Sequence, residues 1–204
     1  MSQSAEKPFS PSCERNREPI LAVLRDAFSN RRHALEIGSG TGQHAVFFST
    51  AMPHLQWQTS ERGDYVTGVQ SWLDEAALGN TPPTIEFDVG HEDWPSAKFD
   101  AIFTANTLHI MAWGEVERLF ARLPEIMSDD CIVVAYGPFN IGGQYTSASN
   151  AEFDRSLQQR GAHMAIRDLA AVDTLAASAG LQRIALHAMP ANNFCAVWQR
   201  KISA

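Results

Sequence analysis

The sequence predicts a doubly wound, Rossmann-like α/β fold built on a mostly parallel sheet. Three features support this prediction: strand-like apolar runs alternate with helical segments, a glycine-rich turn follows the first run, and only residues 190–193 separate the last two runs. Alternating strands and helices form right-handed βαβ units, whose helices cover both faces of a parallel sheet. A four-residue connection is too short for a crossover helix, so the last two strands pair as an antiparallel hairpin.

The individual elements follow from hydrophobic periodicity and from helix breakers. An apolar face from Ile20 to Phe28 predicts the first helix, and the run Ala34–Ile37, stopped by Gly38, predicts the first buried strand. A second helix begins near Gln43 and ends before Pro53, since helices stop before proline. The same patterns predict strands over residues 54–61, 84–89, 99–105 and 131–136, helices over 65–77, 116–123, 150–159 and 168–179, and hairpin strands over 181–189 and 194–200.

Composition and charge exclude several classes of protein. The 204 residues, 45% hydrophobic and 19% charged, predict a single globular domain over residues 1–204, in which residues 1–9 form a loose tail. The net charge of −7 disfavours a general attraction to nucleic-acid phosphates, so no nucleic-acid partner is expected. Cys13, Cys131 and Cys195 form no Cys-x-x-Cys pair, which fits a reducing compartment.

The N-terminal segment has no apolar signal-peptide core, and no apolar run is long enough to span a bilayer. We therefore expect a cytoplasmic protein that does not associate with membranes. The sequence leaves the oligomeric state open.

The sharpest local signal is a glycine turn in the run Leu35–Gly42, at the end of the first predicted strand. Glycine lets the chain turn tightly and lets the backbone approach a ligand without a Cβ in the way. In an open α/β sheet the ligand binds beyond the carboxyl ends of the strands, which is where this turn lies. The turn therefore predicts a cofactor site.

The spacing of the glycines distinguishes between cofactors. A dinucleotide fingerprint needs its third glycine where this chain has Gln43, and the Gly-Lys-Ser/Thr of a P-loop is absent. Glu36 beside the turn would repel a pyrophosphate, and it would suit a ligand that carries an ammonium and a sulfonium. Two acids end the next strands: Glu61 is placed to accept from both ribose hydroxyls, and Asp88 from an adenine amine, with Val89 beside the ring.

The run Glu36–Gly42 matches the pattern E/D-x-G-x-G-x-G, and with it the chain resembles the class I S-adenosylmethionine-dependent methyltransferases over about residues 17–200. The resemblance implies a seven-stranded sheet that ends in an antiparallel hairpin. It also implies S-adenosylmethionine as the cofactor and S-adenosylhomocysteine as the product. The residues it places at the cofactor are Glu36, Gly38, Ser39, Gly40 and Gly42.

A closer likeness is carried by the runs Ser10–Asn16, Trp57–Glu61, Ser147–Asp154 and Met189–Asn193. These are similar to an uncharacterised methyltransferase-like family, catalogued as a domain of unknown function, that includes the eukaryotic methyltransferase-like protein 26. The likeness implies the fold and the cofactor and names no substrate. Glu61 stands where we expect Asp, and its longer side chain should still reach a ribose.

Candidates for the chemistry follow the fourth and fifth strands. Methyl transfer needs a base only when the acceptor is protonated, and His109 is the candidate general base; a helix-start histidine bonded to backbone is an equally good interpretation. Tyr136 is a second catalytic candidate, and Asn106 is expected at the cofactor. Asn140 and Tyr145 are candidate substrate contacts, and no cluster of His and carboxylates indicates a metal.

Arg15 and Asn16 precede the first apolar helix. They have two interpretations: they cap that helix, or they fold over the cofactor, with Arg15 meeting its methionine carboxylate and Asn16 adding an amide.

Three classes of function remain open. The first is an enzyme that methylates a small molecule. The second is a nicotinamide-dependent oxidoreductase, against which the early third glycine and the terminal hairpin argue. The third is a methyltransferase-like protein that binds a cofactor or a partner without turnover, since a fold does not establish chemistry.

Overall fold

A computed structural model describes residues 7–200. Seven strands form one sheet: β1 His33–Ile37, β2 Gln56–Glu61, β3 Ile85–Glu86, β4 Phe99–Ala105, β5 Met127–Gly137, β8 Leu181–Met189 and β9 Asn193–Arg200. Their order is β3-β2-β1-β4-β5-β9-β8, in which β1 to β5 are parallel and β9 is antiparallel to both β5 and β8. The predicted fold class is therefore confirmed.

Six helices and a small second sheet complete the described part of the chain. The second sheet pairs the two-residue strands β6 (Phe139–Asn140) and β7 (Arg167–Asp168), which the sequence analysis did not predict. Among the described residues, none of the helices combines the length and the apolar character needed to cross a membrane. The helices are α1 Pro11–Ala27, α2 Gln43–Ala51, α3 Val66–Ala76, α4 Trp113–Arg122, α5 Ala148–Arg160 and α6 Leu169–Ser178.

Apolar clusters cover both faces of the main sheet, as a doubly wound fold requires. On one face, buried side chains of α1 and α2 pack on Trp57 and Phe103. On the other, α4 and α6 pack on Ile102 and Trp198. Because helices bury both faces, β1, β4 and residues 131–137 of β5 are near-continuous buried runs, and this is why their positions were predictable.

Two predicted boundaries were wrong at the N-terminus. The first helix begins at Pro11 rather than near Ile20, because proline is well suited to the first helical turn, where its missing N–H is not needed. Residues 1–6 of the predicted loose tail lie outside the described residues. Lys7 and Pro8 pack on α3: the Lys7 amine lies 2.6 Å from a Glu75 carboxylate oxygen, and the Pro8 carbonyl accepts a hydrogen bond from Trp72 at 2.7 Å.

Two predicted strands also have different lengths. The third strand was predicted over residues 84–89, but only Ile85 and Glu86 pair with β2, at Ser60 and Glu61. The fifth strand begins at Met127 rather than at residue 131, because a polar stretch hides its start in the sequence. Both errors concern edges of elements, where local pattern is weakest.

Candidate active site

A cavity of about 980 Å³ opens at the carboxyl ends of the parallel strands. The loops that follow β1, β2 and β4 form its floor, together with Phe87, Asp88 and Val89 after β3. The N-terminal segment contributes Lys7 to one wall and the loop after α5 contributes Met164 to another. This is where an open α/β sheet binds its ligands, and the volume lies at the upper end of ordinary ligand pockets.

The glycine turn is built on three left-handed residues. Gly38, Gly40 and Gly42 have φ values of +71°, +59° and +90°, which side chains rarely adopt. A Cβ on Gly38 would lie 3.0 Å from the Thr107 hydroxyl, and one on Gly42 would lie 3.1 Å from the Val69 carbonyl. A Cβ on Gly40 would meet nothing within 4 Å, and Gly40 lines the cavity. Gly38 and Gly42 therefore serve packing, while Gly40 keeps the backbone bare toward the cavity.

Glu36 supports this turn from behind. Its side chain is 1% exposed, and one carboxylate oxygen accepts hydrogen bonds from the Trp57 indole at 3.0 Å and the Ser39 hydroxyl at 3.1 Å. Burial raises the pKa of Glu36 to about 7, reinforced by the charge of Glu61, although both hydrogen bonds act in the opposite direction. The sequence analysis predicted a ligand contact, but Glu36 is not among the residues that line the cavity.

Most of the other predicted cofactor residues come together in the wall. Glu61 lines the cavity, and its carboxylate accepts hydrogen bonds from the amides of Gly40 at 2.8 Å and Arg62 at 2.9 Å. Asp88 accepts from the Gly90 amide at 2.7 Å, and its neighbour Val89 adds an apolar surface. The wall also holds Gly38, Ser39, Gly40 and Asn106, the last with a φ of +57°.

The N-terminal pair is placed differently from the prediction. Arg15 and Asn16 lie within α1, and neither lines the cavity. Arg15 is exposed to solvent. Asn16 is buried, and its side-chain oxygen lies 2.7 Å from Nε2 of His44, which does line the cavity. Contact of Arg15 with a methionine carboxylate is therefore not supported by its position.

The predicted catalytic and substrate residues lie outside the cavity wall. His109 is 5% exposed and packs edge-on against Phe153, and burial together with Arg167 and Arg160 lowers its pKa to about 4. Tyr136 is buried, and burial raises its pKa. Tyr145 donates a hydrogen bond to Asp154 at 2.8 Å, and Asn140 lies in β6, in register with Asp168 of β7. None of these four lines the cavity.

The sequence analysis missed several wall residues. Cys13, His44 and Thr107 line the cavity together with the apolar side chains of Ile110 and Met111. His44 lies two residues beyond the glycine turn, but its spacing alone does not distinguish it from an ordinary helix-start histidine. Within residues 7–200, no group of three or more His, Cys, Asp or Glu side chains is arranged to hold a metal ion.

Among the described residues of the cavity wall, acids outnumber lysines and arginines. Of the bases, Lys7 is paired with Glu75 outside the wall, and its ammonium also lies 3.6 Å from the centre of the Trp72 ring. Arg62 is the other lysine or arginine in the wall. The acids that line the cavity are Glu61, Asp64, Asp88 and Glu115. This balance favours a cationic ligand over a phosphorylated one.

Iodoacetamide should alkylate Cys13 while leaving Cys131 and Cys195 intact in the folded protein, because Cys13 is half-buried at the cavity and the other two are fully buried. Burial raises the pKa of the Cys13 thiol, so its rate should still rise about tenfold per pH unit between pH 7 and pH 8. Peptide mass spectrometry checks the site, with Cys13→Ser as the control. Equal labelling of the three cysteines would contradict the placement of Cys13.

A family model matches the whole of the described chain. The model of DUF938, described as a protein of unknown function, matches residues 7–200. The chain belongs to the DUF938 family. Membership of the same family by methyltransferase-like protein 26 stays a prediction.

Several solved structures with the same fold are named as methyltransferases. The DUF938 chain superposes on mitomycin 7-O-methyltransferase MmcR with a TM-score of 0.80 at 20% identity, over 93% of this chain and 54% of that one. For an O-methyltransferase family protein from Burkholderia thailandensis the TM-score is 0.81 at 14% identity, over 92% and 57%. For CalO1 of calicheamicin biosynthesis, solved with S-adenosylhomocysteine, it is 0.69 at 16% identity, over 90% and 55%. The DUF938 chain thus has their fold and spans about half their length.

Proposed function

We propose that this protein is an S-adenosylmethionine-dependent methyltransferase whose acceptor is a small molecule. The observation that carries the proposal is the position of Gly40, which leaves bare backbone in the cavity wall beside the carboxylate of Glu61. Asp88 and Val89 lie in the same wall. A bare turn flanked by acids at successive strand ends suits a nucleoside with a cationic tail.

The residues present fit this cofactor better than a dinucleotide. Glu61 offers acceptors to ribose hydroxyls, and Asp88 offers one to an adenine amine. Ser39 is held by Glu36 in the turn, at 3.1 Å, so the loop keeps its shape without a phosphate. The excess of acids in the wall would repel a pyrophosphate and attract a sulfonium and an ammonium.

S-adenosylmethionine, when bound, would supply a methyl group carried on a positively charged sulfur. The molecule that remains after transfer is S-adenosylhomocysteine. The chain contributes position and exclusion of water. The glycine turn and strand-end acids hold one end of the cavity, while Ile110, Met111 and Met164 form an apolar part that excludes water. A cavity of about 980 Å³ has room for a second small molecule beside a cofactor.

The similar structures support the proposal at a general level. MmcR is named a mitomycin 7-O-methyltransferase, and CalO1 is a methyltransferase solved with S-adenosylhomocysteine. Both names describe small acceptors or their biosynthesis, so we propose a small acceptor here. Because this chain spans about half their length, the acceptor itself must be found by experiment.

Saturation with S-adenosylhomocysteine should raise the unfolding midpoint by several degrees, because a ligand at a hundred times its Kd adds about 2.7 kcal/mol to the free energy of unfolding. Differential scanning calorimetry with S-adenosylmethionine, S-adenosylhomocysteine and NADH makes the comparison. A response to NADH alone would replace the proposal with the oxidoreductase alternative. A response to none of the three would favour a partner-binding protein without a cofactor.

A further inference from the structure

Three side chains form a hydrogen-bonded series beside the cavity. The oxygen of Asn16 lies 2.7 Å from Nε2 of His44, and Nδ1 of His44 lies 4.0 Å from the sulfur of Cys13. Asn16 and His44 are buried, at 9% and 6% exposure, whereas Cys13 is half-buried. His44 and Cys13 both line the cavity. The series joins α1 to the start of α2.

The series determines which ring nitrogen of His44 carries a proton. The side-chain oxygen of Asn16 can only accept, so Nε2 must donate to it. Nδ1 of His44 is then left with a lone pair on the side of Cys13.

Packing holds the imidazole ring of His44 in one orientation, and burial keeps it neutral. Its ring stacks on Phe48 with centroids 5.1 Å apart, and meets Phe103 edge-on at 6.4 Å. Burial, helped by the charge of Arg17, lowers the pKa of His44 to about 4, so the ring is neutral at pH 7. The Nδ1 lone pair is thus a permanent hydrogen-bond acceptor in the cavity wall.

Among residues 7–200, the partner of this acceptor is the Cys13 thiol, which satisfies it poorly. A thiol is a weak donor, and 4.0 Å is at the outer limit for sulfur. The N-termini of α1 and α2 both lie at this point, since Cys13 and His44 belong to their first turns, and neither helix has a side-chain cap. The N-terminal end of a helix favours negative charge nearby.

We propose that Nδ1 of His44 takes the proton from the methyl acceptor, with Asn16 as the positioning residue, and that the acceptor presents an O–H or S–H group. This rests on the proposed function. As the acceptor atom bonds to the methyl carbon, the carbon–sulfur bond breaks with its electron pair on sulfur, and the acceptor proton passes to Nδ1. A weakly basic imidazole suffices, because an O–H or S–H becomes strongly acidic as its heavy atom gains the methyl group. His109 does not line the cavity and is assigned no such part.

The test is nitrogen NMR of the full chain labelled with ¹⁵N-histidine and saturated with S-adenosylhomocysteine. We expect His44 to be the neutral Nε2–H tautomer from pH 5 to pH 8. We expect its Nδ1 signal, and not its Nε2 signal, to move when phenol or benzenethiol is added. An Nδ1–H tautomer, a charged ring at pH 7, or an Nδ1 signal unmoved by both probes would overturn the proposal.

Variants separate positioning from structure. Asn16→Ala should give a mixture of tautomers, while Asn16→Asp, which keeps an oxygen acceptor, should restore Nε2–H. His109→Gln should leave the shift of the His44 Nδ1 signal on adding phenol unchanged. If that shift disappears in His109→Gln, the assignment of the proton acceptor to His44 is wrong. Calorimetric binding of S-adenosylhomocysteine is read separately: its absence sinks the proposed function, whereas binding with the wrong tautomer sinks only the part assigned to His44.

Discussion

Gly40→Asp is expected to lower the affinity for S-adenosylhomocysteine at least 100-fold while the protein stays folded. An added Cβ meets nothing within 4 Å, so the substitution creates no clash inside the protein. The new carboxylate projects from the cavity wall beside Glu61, whose oxygen lies 2.8 Å from the Gly40 amide. It would fill the approach to the turn and repel Glu61. The left-handed φ of +59° costs about 1 kcal/mol for a residue such as Asp.

Gly142→Asp is the matched control. Gly142 has a φ of +60°, also has nothing within 4 Å of an added Cβ, and does not line the cavity. Both variants add the same charge at the same backbone cost, so they should unfold at similar urea concentrations. Isothermal titration calorimetry should show weakened binding in Gly40→Asp alone. Equal affinity in the two variants would remove Gly40 from the binding site.

The second large effect is a loss of stability with rising pH that comes from Glu36. The folded protein raises the pKa of this carboxyl from 4.5 to about 7, so it holds the proton more tightly than the unfolded chain does. As pH rises from 4.5 to above 7, the unfolded chain releases the proton first and is favoured. The Glu36 contribution to the free energy of unfolding should fall by about 3 kcal/mol across this window.

Glu36→Gln tests this effect because glutamine keeps the shape and an oxygen for Trp57 and Ser39 but cannot ionise. The difference in the free energy of unfolding, variant minus wild type, should shift in favour of the variant by about 3 kcal/mol between pH 4.5 and pH 8. Urea denaturation at several pH values measures it. Glu117→Gln, which removes one exposed carboxylate, gives the effect of a surface charge. If the difference in the free energy of unfolding for Glu36→Gln does not change with pH, then folding does not raise the pKa of Glu36.

Elements buried on both sides were the ones that sequence pattern located best. The prediction of β1 began one residue late and that of β4 matched, since their apolar runs have clear ends, and the hairpin of β8 and β9 follows from a connection too short for a helix. The start of α1 was missed because Pro11–Asn16 is mostly polar and carries no apolar periodicity. The two-residue pair of β6 and β7 carries no periodic signal and depends on a contact between distant segments.

Some residues of the candidate site were likewise predictable from local sequence, and others depend on contacts between distant segments. Gly40, Glu61 and Asp88 follow three parallel strands, and such strand ends must meet at one edge of the sheet, so their proximity was predictable. Glu36 was misplaced because alternation along β1 determines which face a side chain takes, and its burial against Trp57 depends on β2. His44 went unnoticed because its partners, Asn16 and Cys13, belong to another helix.

The sequence by itself determined the α/β fold, the glycine turn and the strand-end acids, because each depends on local periodicity or on residues adjacent in the chain. The tertiary structure alone decided which polar side chains face the cavity. Packing on Phe153 holds His109 behind the wall, and the approach of α1 to α2 brings Cys13 and His44 into it. Such choices depend on the relative placement of helices, which is set by the fit of distant apolar faces rather than by any single segment.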